Sequence, residues 1–184
     1  MNFEYKDNPD SNGKMLVVKG DLNAAVFKEL LKGDFESLWL YWCDFTGIEK
    51  VASELPSFKS LRVNSNITQD ISWVSKLNFL KHLSLRGKFK GQVDVKLFNY
   101  LKHLEFDFCS ATKEIIKTRL KLDVLSVAKF KGMLSDFNDE LSSNLSVLGI
   151  SGGSLVCLEG IEGFKSLRTL VLVNLRQLSS IGML

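Results

Sequence analysis

The chain has 184 residues, of which 45% are hydrophobic and 24% are charged, a composition that excludes an intrinsically disordered protein. Its 24 basic and 21 acidic residues leave a formal net charge of +3, too small an excess to indicate a nucleic-acid partner. Pro9 and Pro56 are the only prolines, so no proline-rich linker divides the sequence and we predict one domain over residues 1–184.

Three features of the sequence predict a cytoplasmic protein that does not bind membranes. The first segment, MNFEYKDNPDSNGK, lacks the basic and apolar regions of a signal peptide. No run approaches the roughly 18 apolar residues that are needed to span a bilayer. The chain has an odd number of cysteines, Cys43, Cys109 and Cys157, which fits a disulfide framework poorly.

The first predicted elements form an N-terminal cap over residues 1–33. The segments NFEYKD and KMLVVK flank the turn-rich segment NPDSNG, a pattern that predicts a β-hairpin. The following segment predicts a helix over residues 24–32, with Asn23 as the N-cap and Gly33 as the stop.

The pattern apolar-x-x-apolar-x-apolar then recurs over residues 34–184. Its copies are FESLWL, FKSLRV, LKHLSL, LKHLEF, LDVLSV, LSVLGI and LRTLVL. The middle leucines of neighbouring copies are 21 to 23 residues apart, and Leu16, 22 residues before Leu38, marks a degenerate first copy. One such unit cannot bury its apolar side alone, so we predict stacked units whose strands pair into a parallel sheet.

These copies resemble the leucine-rich repeat family, whose unit is L-x-x-L-x-L-x-x-N/C-x-L. The resemblance covers residues 13–184 and implies an α/β solenoid, with a parallel sheet on the concave face and short helices or turns on the convex face. Segments starting at Asp94 and around Ile115 fit such helices. The N/C position is occupied by Asp21, Cys43, Asn66, Lys88, Cys109, Phe130, Gly153 and Leu175, so three of eight copies agree with the family.

The predicted register divides the side chains between the core and the concave face. Side chains alternate along a strand, so the apolar anchors point inward and the residues between them point outward. In copies two to five the outward residues include tryptophan, tyrosine and arginine, which are enriched in protein interfaces. The alternative is that Trp39 and Tyr41 only cover each other and the N-terminal cap. The candidate protein-binding residues are Trp39, Tyr41, Trp42, Arg62, His82, Arg86, His103, Glu105, Asp107 and Phe108.

The sequence contains no recognisable pairing of a nucleophile with a base, so we predict no catalytic activity, no cofactor and no metal. His82 and His103 share a column near two carboxylates, a combination that is compatible with zinc. Duplication of the LKHL segment explains both histidines more simply.

The resemblance implies protein recognition far more often than catalysis, and we predict a module that binds a partner protein. The most specific hypothesis is a bacterial immunity protein that inhibits a cognate toxin. One alternative is a regulatory adaptor of a phosphatase or ligase. A second is an anion or nucleic-acid binder that uses Lys59, Lys81 and Lys102 along one margin of the sheet, although nucleic acid is the less expected partner.

The last predicted strand, TLVLVN, points Leu170 and Leu172 inward and Val171 and Val173 outward. A terminal repeat exposes a strand edge unless something covers it. We therefore predict that Val171 and Val173 mark an edge that a second copy of the chain or a partner covers.

Overall fold

A computed structural model describes residues 2–8 and 13–179, which form an α/β fold with mostly parallel β-sheet and few helices. The chain divides into two compact units, Met1–Leu101 and Lys102–Leu184. The single domain expected over residues 1–184 stays a prediction.

The first unit contains five strands that lie side by side in chain order. They are β1 (Phe3–Asp7), β2 (Lys14–Lys19), β3 (Ser37–Tyr41), β4 (Ser60–Asp70) and β5 (His82–Lys90). β1 pairs antiparallel with β2, which confirms the predicted hairpin pairing, and the later pairs are parallel. Residues 9–12 of the predicted turn lie outside the described residues.

The connections of the first unit are helices α1 (Ala24–Lys32) and α2 (Ile48–Val51) and 3₁₀ turns at Ser72–Lys76 and Val95–Leu97. The predicted bounds and caps of α1 are confirmed. The Asn23 side chain accepts a hydrogen bond from the Val26 backbone N–H, and Gly33 ends the helix at a φ of 73°. A Cβ at Gly33 would also lie 2.6 Å from the ring of Pro56, so this stop position has no room for a side chain.

The predicted register of the anchors is confirmed in the first unit. Leu16, Leu38, Leu61 and Leu83 lie opposite one another on β2 to β5, and each is at most 1% exposed. Stacking equivalent leucines in this way removes their side chains from water, which is the main favourable contribution to folding.

The second unit contains four parallel strands, again side by side in chain order. They are β6 (His103–Asp107), β7 (Val124–Phe130), β8 (Val147–Gly153) and β9 (Thr169–Val173). The return segments contain 3₁₀ turns at Lys113–Lys117, Leu134–Asp136 and Ile161–Gly163, and helix α3 (Asp139–Asn144).

The anchor leucine of the last strand is less buried than the anchors of the strands before it. Leu104, Leu125 and Leu148 are fully buried, whereas Leu170 on β9 is only half-buried. Val171 and Val173 are 45% and 44% exposed, so their predicted outward orientation is confirmed. What covers this strand stays a prediction.

Four phenylalanine rings form a chain of contacts through the second unit, which we call the phenylalanine spine. The ring centroids of Phe108 and Phe130 are 5.3 Å apart, those of Phe130 and Phe137 are 5.6 Å apart, and those of Phe137 and Phe164 are 5.4 Å apart. Phe130 is completely buried at a repeat position where the family pattern has asparagine or cysteine. A large ring therefore fills the core at a position that the pattern assigns to a small or polar residue.

Within the described residues, no helix combines the length and the apolar character that are needed to cross a membrane.

Candidate functional site

Three aromatic rings at the end of β3 form a contiguous group, which we call the aromatic patch: Trp39, Tyr41 and Trp42. The Trp39 and Tyr41 rings meet edge to face with centroids 5.1 Å apart, and Tyr41 and Trp42 stack at 4.8 Å. Trp39 and Tyr41 are half-buried, but Trp42 is 59% exposed. Trp39 and Tyr41 therefore cover each other in part, as the alternative expects, whereas most of the Trp42 ring is in contact with solvent.

Asn64 on β4 fixes both ends of the aromatic patch. Its side-chain oxygen accepts a hydrogen bond of 2.9 Å from Trp39 Nε1, and its backbone oxygen accepts one of 2.8 Å from the Trp42 N–H. Asn64 is not among the candidate protein-binding residues that the sequence predicts. The regular strand register could have identified Asn64 as a neighbour of the aromatic patch, because it places Asn64 opposite Tyr41.

The backbone at Trp42 adopts a left-handed conformation with a φ of 50°. Equivalent positions after other strands share this region, and glycine occupies several of them, including Gly20 at 75° and Gly152 at 62°. A side chain there costs about 1–2 kcal/mol relative to the ordinary helical region. The chain thus places a large, exposed aromatic residue at a position that glycine would occupy without strain.

The other candidates of the first unit lie on the strands that follow the aromatic patch. Arg62 is opposite Trp39, and His82 and Arg86 lie on β5. All three side chains are half-buried. Together with the aromatic patch they give this sheet face a mixed aromatic and basic surface.

The candidates of the second unit form two local contacts. His103 Nε2 lies 3.4 Å from Glu105 Oε1, and both side chains are 36% exposed. Asp107 is buried and its Oδ2 accepts a hydrogen bond of 2.7 Å from Lys129 Nζ. Asp107 therefore forms an ion pair within its own chain. Phe108 is half-buried and belongs to the phenylalanine spine.

Cys43 follows Trp42 directly and is 1% exposed. Burial raises the pKa of its thiol to about 12, so the thiol stays protonated at neutral pH. We expect iodoacetamide at pH 8 to modify the half-buried Cys109 and Cys157 in the native protein and to leave Cys43 unmodified. Peptide mass spectrometry measures the sites, and modification of all three in denaturant is the control. Rapid native labelling of Cys43 would contradict the described packing.

Two lysines of the predicted basic margin have acidic neighbours. Lys59 Nζ lies 2.9 Å from Glu36 Oε1, and Lys102 Nζ lies 3.6 Å from Asp123 Oδ1. These pairs reduce the positive charge that the margin offers to an anion.

No group of three or more histidine, cysteine, aspartate or glutamate side chains suited to a metal ion occurs within residues 2–8 and 13–179.

Comparison of the chain with protein-family models, with curated proteins and with solved structures finds no match.

β4 and β5 extend further than the repeat pattern predicts. The register shifts between Ser65 and Gln69, after which Gln69 pairs with Phe89 and both side chains are buried. Asn66 and Lys88, which occupy the N/C position of their copies, are exposed. The adjacent β-branched residues Ile67 and Thr68 were the available local signal for a longer strand.

Proposed function

We propose that this chain is a non-catalytic leucine-rich repeat module that binds a partner protein through the aromatic patch and its neighbouring outward residues. The observation that carries the proposal is Trp42, which is 59% exposed and held at a φ of 50°. Lys129 and Asn174 adopt the same left-handed conformation at equivalent positions, so it is the exposure of a large aromatic ring that distinguishes Trp42, and exposed aromatic surface is typical of interaction sites.

The surroundings of Trp42 support the same proposal. Tyr41 stacks against one face of its ring, and Arg62 lies on the adjacent strand beside Trp39. Tryptophan, tyrosine and arginine are the residues that most often dominate the energetics of protein interfaces. An immunity protein that inhibits a cognate toxin is the specific form of this function that we propose.

The Trp42→Gly variant separates binding from folding. Glycine relieves about 1 kcal/mol of strain in the left-handed backbone conformation. Loss of the ring contact with Tyr41 removes about 0.5–1.5 kcal/mol of stabilisation. We therefore expect the free energy of unfolding to change by less than about 1 kcal/mol. The affinity-tagged protein is immobilised on a resin and exposed to lysate of its host. We expect the wild-type protein to capture its partner and Trp42→Gly to lose this capture.

Tyr100→Ala is the matched control, because Tyr100 is 61% exposed and lies outside the aromatic patch. It should retain capture of the same partner in quantitative mass spectrometry. Equal capture by wild type, Trp42→Gly and Tyr100→Ala would show that the aromatic patch is not the binding site.

A further inference from the structure

The last strand, β9, has one side on which no strand of residues 2–8 and 13–179 pairs with it. On its other side, Thr169 donates its backbone N–H to the oxygen of Ser146, directly before β8, at 3.1 Å. Alternate residues of a strand direct their backbone groups to opposite sides, so Leu170 and Leu172 direct theirs away from β8. Each of these two leucines therefore presents one donor and one acceptor at the open edge.

The two edge strands of the sheet differ in how they meet solvent. Four of the five residues of β1 are exposed, and its Glu4 forms ion pairs with two lysines, at 2.8 and 3.1 Å. Such charges protect an edge from pairing with another chain. β9 has no charged residue, its Leu170 and Leu172 are only half-buried, and its Val171 and Val173 are 45% and 44% exposed. This edge therefore combines open backbone groups with apolar surface that a further strand would cover.

The sequence around Val171 is nearly symmetric. Leucine occupies the position one residue away on both sides, and a β-branched residue occupies the position two away on both sides, namely Thr169 and Val173. The half-buried residues of this symmetric set are Leu167, Leu170, Leu172 and Leu175. Such symmetry is a requirement of a two-fold interface, in which one surface must complement its own copy, and an unrelated strand would not need it.

We propose that two copies of this chain associate by antiparallel pairing of β9 with β9 about a two-fold axis at Val171. Leu170 and Leu172 of one copy then exchange backbone hydrogen bonds with Leu172 and Leu170 of the other. The leucines of both copies stay on the inner face, and no like charges meet because the strand carries none. The association is separate from protein binding by the aromatic patch.

Sedimentation velocity of the full chain, between about 1 and 200 μM, measures this association. We expect a reversible species of twice the chain mass of 20.7 kDa, because a two-fold interface closes at two copies. One pair of short strands makes a small interface, so the dissociation constant should be on the order of 10 μM. Trp42→Gly should associate as the wild type does, which distinguishes this edge from the aromatic patch.

Charge substitutions at the axis test the symmetry. Val171→Lys and Val171→Glu should each weaken association at least about tenfold, because each places like charges opposite each other. An equimolar mixture of the two variants should restore the dimer, since lysine then faces glutamate. Ile67→Lys is the matched control, because Ile67 is also β-branched and is 48% exposed on β4, and it should associate normally. Circular dichroism checks that each variant is folded.

Disulfide cross-linking tests the register of the two strands. The Cα atoms of residue 171 in the two copies should be about 4.5 Å apart, within the range of a disulfide. Val171→Cys should therefore form a disulfide between copies when oxidised glutathione is added. In Thr169→Cys the two substituted positions should be about 14 Å apart and should not cross-link. Peptide mass spectrometry separates these products from any that involve Cys109 or Cys157.

Four results would overturn the proposal. The first is a chain that stays monomeric over the whole concentration range, and the second is an assembly larger than two copies. The third is a dissociation constant that neither charged variant raises, or a mixture that associates no better than each variant alone. The fourth is cross-linking of Thr169→Cys as efficient as that of Val171→Cys.

Discussion

Replacing Gly153 with alanine is expected to lower the free energy of unfolding by about 4 kcal/mol. Gly153 ends β8 at a φ of 97°, and a Cβ there would collide with the backbone carbonyl oxygen of Phe130 and lie 2.6 Å from its nitrogen. These atoms belong to the paired strand β7, so they cannot move away without breaking the pairing of Phe130 with Gly153. Urea denaturation followed by circular dichroism measures the loss.

The neighbouring Gly152 provides a matched control. Its φ of 62° is also left-handed, but a Cβ there would have no atom within 4 Å. Gly152→Ala should therefore cost only about 1 kcal/mol, the penalty of the backbone conformation alone. Equal losses for the two variants would show that the contact with β7 does not limit the choice of residue at Gly153.

Replacing Phe130 with alanine is expected to destabilise the protein by about 4 kcal/mol. The ring is completely buried and touches both Phe108 and Phe137, so its removal interrupts the phenylalanine spine and leaves a cavity. The loss should appear as a lower denaturation midpoint in urea, with the slope of the transition unchanged.

Two further variants test whether the effect comes from volume at a buried position. Phe130→Leu retains most of the apolar volume and should cost about 1 kcal/mol. Val173→Ala removes apolar atoms from a side chain that is 44% exposed and should change stability by less than about 0.5 kcal/mol. A loss for Phe130→Ala no larger than that for Val173→Ala would contradict a structural role of the spine.

The parallel pairing and the inward orientation of the anchors were predictable because they depend on a repeated local pattern. Leu38 and Leu61 are 23 residues apart in sequence, and the structure sets them side by side on β3 and β4. The bounds of α1 were predictable for a similar reason, since Asn23 and Gly33 are local signals whose effect does not depend on the rest of the fold.

The extension of β4 and β5 was not predictable from the repeat, because it depends on contacts that the repeat does not encode. Buried Gln69 donates weakly from Nε2 to the Asp44 side chain and the Cys43 backbone, at 3.3 and 3.5 Å. Such contacts between residues about 25 positions apart become visible only when the strands are placed.

The two hydrogen bonds from the aromatic patch to Asn64 bear on the kinetics of the proposed interaction. They hold Trp39 by its side chain and Trp42 by its backbone before any partner arrives. A surface ordered in advance loses little conformational entropy when it is covered, so less of the contact energy is consumed by ordering. Asn64→Ala removes the side-chain bond to Trp39 and keeps the backbone bond to Trp42. We expect it to shorten the lifetime of the complex with the proposed partner while leaving the association rate nearly unchanged.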